Sequence, residues 1–383
     1  MSEQHPCDIL CIVGARPNFM KIAPIMRALS ARGLSARLAH TGQHYDSDMN
    51  DRFFADLGIP RPDINLEVGS GSHAVQTAEV MRRFEPVVDD LQPRAVLVVG
   101  DVNSTIACAL VASKKGVGVI HVEAGLRSYD RGMPEEINRV LTDQISDLLF
   151  TTERHAEANL AREGVDTGRV HFVGNVMIDT LLHNRDRAVP WRDSLRAAGA
   201  DQAPFESAAG YGALTLHRPS NVDDEGVLGR LVDTLVSLSR DLPLVFPVHP
   251  RTRARLEGFG LWERLQSGRI AVLPPAGYLE MLGLMRDARL VLTDSGGIQE
   301  ETTALGVPCI TLRDNTERPI TLDEGTNVLV GNDPERIVAA FNAVLAGDDR
   351  RGRVPEHWDG RAAERIVDVL AGWLDQRRPA TAG

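Results

Sequence analysis

Four cysteines, 5% aromatic side chains and a formal charge of −11 over 383 residues exclude several kinds of protein at once. Cys7, Cys11, Cys108 and Cys309 lie in or beside apolar segments, spaced for neither a disulfide framework nor a zinc site, and read as reduced core thiols. The acidic balance argues against a nucleic-acid groove, whose domains are usually basic. It leaves room for a nucleotide, since a few local Arg and Lys residues suffice for one diphosphate. No apolar run approaches the roughly 20 residues of a membrane span. Met1 to Asp8 lead into a short strand instead of an Arg/Lys-led hydrophobic signal region. A cytoplasmic protein with neither nucleic-acid nor membrane partner is therefore expected. The first turn, Gly14-Ala-Arg-Pro-Asn-Phe19, lacks the Gly-x-Gly-x-x-Gly fingerprint of NAD or FAD sites. There is no Gly-x-x-x-x-Gly-Lys-Ser/Thr loop, and no His or Cys pair has metal-ligand spacing. No cofactor and no metal are expected. A nucleotide bound here would be part of the substrate, as in nucleotide sugars.

What the chain does have is an almost unbroken alternation of strands and helices. Asp8–Val13, Ala95–Val99 and Val117–Val122 are short apolar strands without polar alternation, and helices separate them. That pattern predicts an α/β protein with parallel sheets covered on both faces. The period weakens between about 182 and 210 and resumes at Gly212–Leu216 and Leu244–Val248, where a second α/β unit begins. The last periodic helix runs from about Ala362 to Leu374, before a polar tail.

Apolar Ala288–Leu292 runs straight into Thr293-Asp-Ser-Gly-Gly-Ile-Gln-Glu-Glu-Thr302, a strand, a tight turn and a helix start. Unpaired amides and the positive end of a helix dipole favour an anion there. Two glycines let a phosphate approach the backbone, and Glu301, one turn on, is placed to accept from ribose hydroxyls. The same turn also serves ordinary strand-to-helix connections. Ligands in parallel sheets sit beyond the carboxyl ends of strands, and polar residues gather at those ends here. They are Arg16, Asn18 and Lys21 after the first strand, Gly100-Asp101, His121 to Arg127, His217 to Asn221, His249 and Arg313 to Arg318. Any one could be a satisfied loop group. Their recurrence in both halves favours a cleft between two domains.

Taken together, these segments resemble the non-hydrolysing UDP-N-acetylglucosamine 2-epimerases. The matching pieces are Gly14-Ala-Arg-Pro17 with Lys21, Gly42-Gln-His44, Gly100-Asp101, His121 to Arg127, Pro134 to Arg139, Gly174-Asn175, His217-Arg218, Thr293 to Glu301, Thr316 to Pro319 and Gly325 to Asn327. They run in the family's order from residue 8 to about 331. The resemblance implies two Rossmann-like domains of the glycosyltransferase-B type, a ligand in the interdomain cleft and a homodimer. We place the domains at 1–178 and 179–361, with helix 362–383 returning to the first.

The implied reaction is reversible conversion of UDP-GlcNAc to UDP-ManNAc. The C2 hydrogen is not acidic, so UDP must leave across C1–C2 to give a glycal and then re-add, with the proton arriving on the other face. Carboxylates suit such an oxocarbenium-like transition state, and cations hold the leaving diphosphate. By resemblance the catalytic residues are Asp101, Glu123, Glu135 and His217. Substrate and UDP are met by Arg16, Lys21, His217, Ser295, Gly296, Gly297, Glu301 and Arg318, with Met281 where an aromatic residue often meets the uracil. Gln43, His44, Arg218 and His249 fall where bacterial members can bind a second UDP-GlcNAc as activator. Glu135 should open a helix whose Ile137, Val140, Leu141, Ile145 and Leu148 bury the opposite face. Asn18 stands where many members carry Glu, and Ser220 replaces the usual Glu after His-Arg-x. Alternatives are a hydrolysing epimerase, an epimerase of a related UDP-2-acetamido sugar, a retaining glycosyltransferase and a non-catalytic sensor.

Overall fold

The computed structural model describes residues 7–42, 57–206, 210–347 and 352–377, the Arg16 side chain apart. It divides the chain into two compact units. The first comprises Met1–Leu182 with Glu356–Gly383, and the second His183–Pro355.

The first unit is built on a seven-stranded sheet: β1 (Ile9–Val13), β2 (Ala36–His40), β3 (Ile64–Asn65), β4 (Ala95–Val99), β5 (Gly118–Val122), β6 (Leu148–Thr151) and β7 (Val170–Phe172). Their spatial order is β3-β2-β1-β4-β5-β6-β7, and every pairing is parallel. β1, β4, β5 and β6 are buried along their whole length, which is why they show no polar alternation. Leu10, Ile12, Val96 and Val98 pack with Phe84 and Val88 of helix His73–Leu91 and with Ala107, Cys108, Val111 and Ala112 of helix Asn103–Lys114. Each large apolar side chain so enclosed contributes about 1.5–3 kcal/mol.

The second unit repeats the plan with six parallel strands: β8 (Gly212–Thr215), β9 (Leu244–Pro247), β10 (Ile270–Leu273), β11 (Leu290–Thr293), β12 (Cys309–Thr311) and β13 (Asn327–Leu329). Their order is β10-β9-β8-β11-β12-β13. Leu214, Phe246, Leu292 and Phe341 lie in its larger core cluster. On the other face Trp191, Leu195, Phe205 and Tyr211 form a second cluster with Leu284 and Met285. The stretch without sequence period therefore holds helix Trp191–Ala197 and a 3₁₀ turn, Ala203–Phe205. Both are too short to display a period.

In each unit the strand order reverses once, between β1 and β4 and between β8 and β11. Chains leaving neighbouring strands diverge at such a point, and ligands of doubly wound sheets collect there.

The dividing points differ from the sequence boundaries at 178 and 361. Helix Val176–Asn184 runs through residue 178 without a break. Thr180 Oγ1 donates to the Met20 carbonyl at 2.6 Å, and the Trp358 indole donates to the Thr152 carbonyl at 3.2 Å. Asp179 accepts from the Ala362 and Ala363 amides at 3.1 and 2.7 Å, capping helix Ala362–Gln376. These bonds draw the first unit's edges to Leu182 and Glu356.

All four cysteines are buried free thiols, and burial pushes those of Cys7 and Cys309 up to about 11. No described helix is long and apolar enough to cross a membrane. Among the described residues no group of three or more His, Cys, Asp or Glu is placed to hold a metal ion.

Candidate functional site

At the switch point of the first unit, Asn18 joins the two diverging strands. Its Oδ1 accepts from the Gly14 and Ala15 amides at 3.1 and 3.0 Å, while its Nδ2 donates to the Val99 carbonyl at 3.1 Å. A carboxylate could not make that last donation, so the amide suits this place. Gly14 is glycine for packing: a side chain would collide with the hydroxyls of Ser104 and Thr41. Arg16 starts helix Arg16–Arg32, and its side chain lies outside the described residues. Lys21, one turn on, is buried and ion-paired with Glu123. A Cβ on Gly100 would sit 2.9 Å from Lys21 Nζ, and the Gly100 backbone is left-handed at φ +68°.

Val99 and Val122 are partners in the sheet, so Gly100-Asp101 and Glu123 emerge side by side. Glu123 is itself left-handed, at φ +72°, a conformation that costs a residue with a Cβ on the order of 1–2 kcal/mol. Phe150 holds it there, its carbonyl accepting from the Glu123 and Ala124 amides, both at 3.0 Å. Asp101 is ion-paired with Arg139, which also pairs with Glu136. Glu136 in turn accepts from the Ser128 amide and hydroxyl at 3.0 Å and from the Tyr129 amide at 2.9 Å. Burial would raise the Glu136 carboxyl, but those bonds and the Arg139 charge hold it below the usual range. His121 lies beneath, its Nδ1 2.6 Å from Asp143 and its Nε2 2.8 Å from the Gly100 carbonyl. Asp143 also meets Arg127 at 2.7 Å, and Arg127 grips Glu163 through two nitrogens.

Glu135 occupies the first turn of helix Pro134–Ile145 and is half-buried. The helix turns the other way from the sequence expectation. Its buried residues are Glu136, Arg139, Thr142 and Asp143, while Ile137 and Leu141 are 48% and 50% exposed. Ile145 is half-buried, and Leu148 belongs to β6. Buried ion pairs with Asp101, His121 and Arg127 fix the polar face inward.

In the second unit Thr215 and Thr293 are partners, which brings His217 beside Asp294 at the switch point. Asp294 accepts from the His217 amide at 3.0–3.1 Å, the Arg218 amide at 2.9 Å and Asn221 Nδ2 at 3.2 Å. His217 Nδ1 lies 3.0 Å from the same carboxylate. Burial opposes ionisation of Asp294, yet the bonds and charge of His217 hold its carboxyl below the usual range. With Nδ1 turned to Asp294, Nε2 is the nitrogen left for a substrate proton. His249 is exposed, its ring 5.8 Å from that of His217 and its Nδ1 accepting from the Arg251 amide. Arg218 contributes its amide to Asp294. Gln43 and His44 lie outside the described residues.

Ser295 caps helix Gly296–Leu305 without a side-chain capping bond, and its amide donates to Thr293 Oγ1 at 3.0 Å. A Cβ on Gly296 would stand 2.7 Å from Glu317 Oε1, so this glycine also makes room for a carboxylate. Glu301 is buried, with its carboxyl pushed up to about 8 by that burial, the nearby Tyr278 hydroxyl opposing the shift. Arg318 is buried and paired with Glu300 at 3.0 Å. Met281 is half-buried on helix Tyr278–Arg286, against the cluster that holds Trp191 and Tyr211.

The structure thus gathers Lys21, Asp101 and Glu123 in one unit and His217 with the Ser295–Gly297 turn in the other. Sequence reasoning counted Asp294, Arg139 and Glu136 among the matching segments but gave them no role in the site. The Glu136–Arg139 spacing of three residues on a helix was the available signal for that pair.

Two doubly wound parallel units, each with charged groups at its switch point and one with an amide-rich helix start, define an α/β protein of the glycosyltransferase-B class. Residues 27–371 match the family model of UDP-N-acetylglucosamine 2-epimerase, and the chain belongs to that family. It is 44% identical to a UDP-N-acetylglucosamine 2-epimerase of Methanocaldococcus jannaschii, over 94% of this chain and 97% of that protein. It is 41% identical to a UDP-2,3-diacetamido-2,3-dideoxy-D-glucuronate 2-epimerase of Pseudomonas aeruginosa, over 95% of this chain and 99% of the relative. A crystal structure of the M. jannaschii UDP-GlcNAc 2-epimerase in complex with UDP-GlcNAc and UDP superposes with a TM-score of 0.81 at 42% identity, covering 95% and 99% of the two chains.

Proposed function

We propose that this protein interconverts UDP-GlcNAc and UDP-ManNAc by eliminating UDP and adding it back. The observation that carries the reading is Glu123, a buried carboxylate in a strained left-handed backbone, ion-paired with Lys21 beside Asp101. Strain of this kind persists where the surroundings over-determine a functional group. In the forward direction a carboxylate takes the C2 proton, the C1–oxygen bond to UDP breaks, and a 2-acetamidoglucal forms between C1 and C2. A second group returns a proton to the opposite face of C2 as the diphosphate oxygen re-bonds to C1. Asp101, Glu123 and Glu135 serve the sugar. His217, steadied by Asp294, serves the departing diphosphate, with Ser295, Gly296, Gly297 and Arg318 as its seat, and no cofactor takes part.

The P. aeruginosa relative, almost as similar, supports a second reading in which the sugar is a more substituted UDP-2-acetamido sugar. One assay decides between them. The protein is incubated in heavy water, without acceptor, NAD or metal, with UDP-GlcNAc or with the diacetamidoglucuronate. The expected result is UDP-ManNAc, with deuterium at C2 of both product and recovered substrate. Epimerisation with the original hydrogen retained overturns the elimination route. Turnover of the diacetamidoglucuronate alone overturns the substrate assignment, and release of free sugar indicates a hydrolase.

The reading includes a homodimer. Ile137 and Leu141 line one groove with Arg127, Tyr129, Arg131 and Val140, an apolar helix face that a second copy of the chain would cover.

A further inference from the structure

Arg313 stands two residues past β12, where the sequence marks it only as one more loop charge. The structure encloses it: the residue is 9% exposed. Its Nη2 donates to Glu317 Oε2 at 2.9 Å and to Asn315 Oδ1 at 3.3 Å. Its Nη1 is buried and has no hydrogen-bond partner among the described residues. Native proteins rarely leave a buried N–H unmatched, because nothing replaces the water it gave up.

The position of that nitrogen is informative. Nη1 lies 3.8 Å from the point a Cβ on Gly296 would occupy. It therefore lies, with the Glu317 carboxylate, close to the first residue of helix Gly296–Leu305, whose opening amides have no partner within the helix and whose Ser295 cap makes no side-chain bond. Two kinds of donor, helix amides and a guanidinium, therefore lie close together beside Gly296. That combination suits a phosphoryl oxygen.

Charge balance sharpens the point. Arg313 pairs with Glu317, and Arg318 with Glu300. Burial would raise the Glu317 carboxyl, but the charges of Arg313 and Arg318 bring it down to about 2. The two pairs cancel. What Arg313 offers an incoming anion is thus a directed, pre-oriented N–H, and Glu317 is what orients it.

We infer that Arg313 is a further binding residue of this seat, its Nη1 donating to a phosphoryl oxygen of a nucleoside diphosphate, with Glu317 as its positioning residue. The inference rests on reading Ser295–Gly297 as a diphosphate seat.

Calorimetric titration of the full chain with UDP and with uridine tests it. Two variants are compared, Arg313→Lys and the double variant Arg313→Met/Glu317→Gln. The second removes both charges together, so no lone buried carboxylate threatens the fold. Folding is read from the thermal midpoint without ligand. UDP should bind about ten- to a hundredfold more weakly to both variants, with uridine binding unchanged. If the folded double variant keeps wild-type UDP affinity, or loses uridine and UDP equally, the inference is overturned and Arg313 only props the loop. An unsubstituted chain that binds no UDP would instead overturn the seat itself.

Discussion

Glu301 lies in the first turns of helix Gly296–Leu305, with the Tyr278 hydroxyl close to its carboxyl and Glu300 adding a like charge nearby. Burial is the largest influence and raises its carboxyl to about 8, with Tyr278 opposing. The sign of the consequence follows from proton linkage. Because the folded protein binds this proton more tightly than the unfolded chain, the associated stability is present below about pH 4.5 and is lost as pH rises through about 8. Glu301→Gln has no proton to lose. Urea unfolding of the two proteins should show the wild type losing up to about 5 kcal/mol relative to the variant between pH 4.5 and 8.5. A gap that stays constant with pH means Glu301 is already ionised when folded. The protonated form also changes its chemistry toward a ribose, since it can donate as well as accept. Sequence alone placed Glu301 near the seat but could not show the shift of its carboxyl, which comes from burial that only the folded packing imposes. The partner of His217 was hidden for the same reason: Asp294 is 77 positions further on. Glu123 was legible as a chemical residue, but its left-handed backbone is imposed by Phe150 on another strand.

At the scale of elements, buried parallel strands were the most legible feature, because a strand covered on both faces must be apolar throughout. Observed ends of β1, β5 and β9 fall within a residue of those read from sequence. Helix Pro134–Ile145 shows where that logic stops. Periodicity tells which residues share a face, but not which face is turned inward. Here Glu136, Arg139 and Asp143 find charged partners on the inner face, and Ile137 and Leu141 are left outside. If a second copy covers that face, Leu141→Glu should convert the dimer to monomer in light scattering. The folded monomer should be little affected, since Leu141 is 50% exposed within one chain. A dimer that survives the substitution shows that this face is not the interface.

For the whole molecule, the presence of two α/β units was readable from a gap in the hydrophobic period. The strand order within each sheet was not, because register and neighbour choice depend on packing between distant segments. That order is what puts Gly14 beside Gly100 in one unit and His217 beside Asp294 in the other. The proposed division of labour follows: the first unit supplies carboxylates for the sugar, and the second supplies donors for UDP. Asp101→Asn, Glu123→Gln and Glu135→Gln should then each lower turnover by about 100-fold or more, the scale of a lost acid–base or electrostatic group. Their affinity for UDP should stay near the wild-type value, because none of the three is assigned to the nucleotide. The amide at 123 keeps the shape and the left-handed backbone but deprives Lys21 of its ion pair, so its thermal midpoint must be compared with that of the wild type. At least one variant should release 2-acetamidoglucal and UDP, since elimination can outrun re-addition once the second proton transfer fails. A folded variant that still epimerises at near-normal rate marks that carboxylate as structural. Loss of UDP affinity in step with turnover would show that the carboxylates of the first unit also support the nucleotide, and the division would fall.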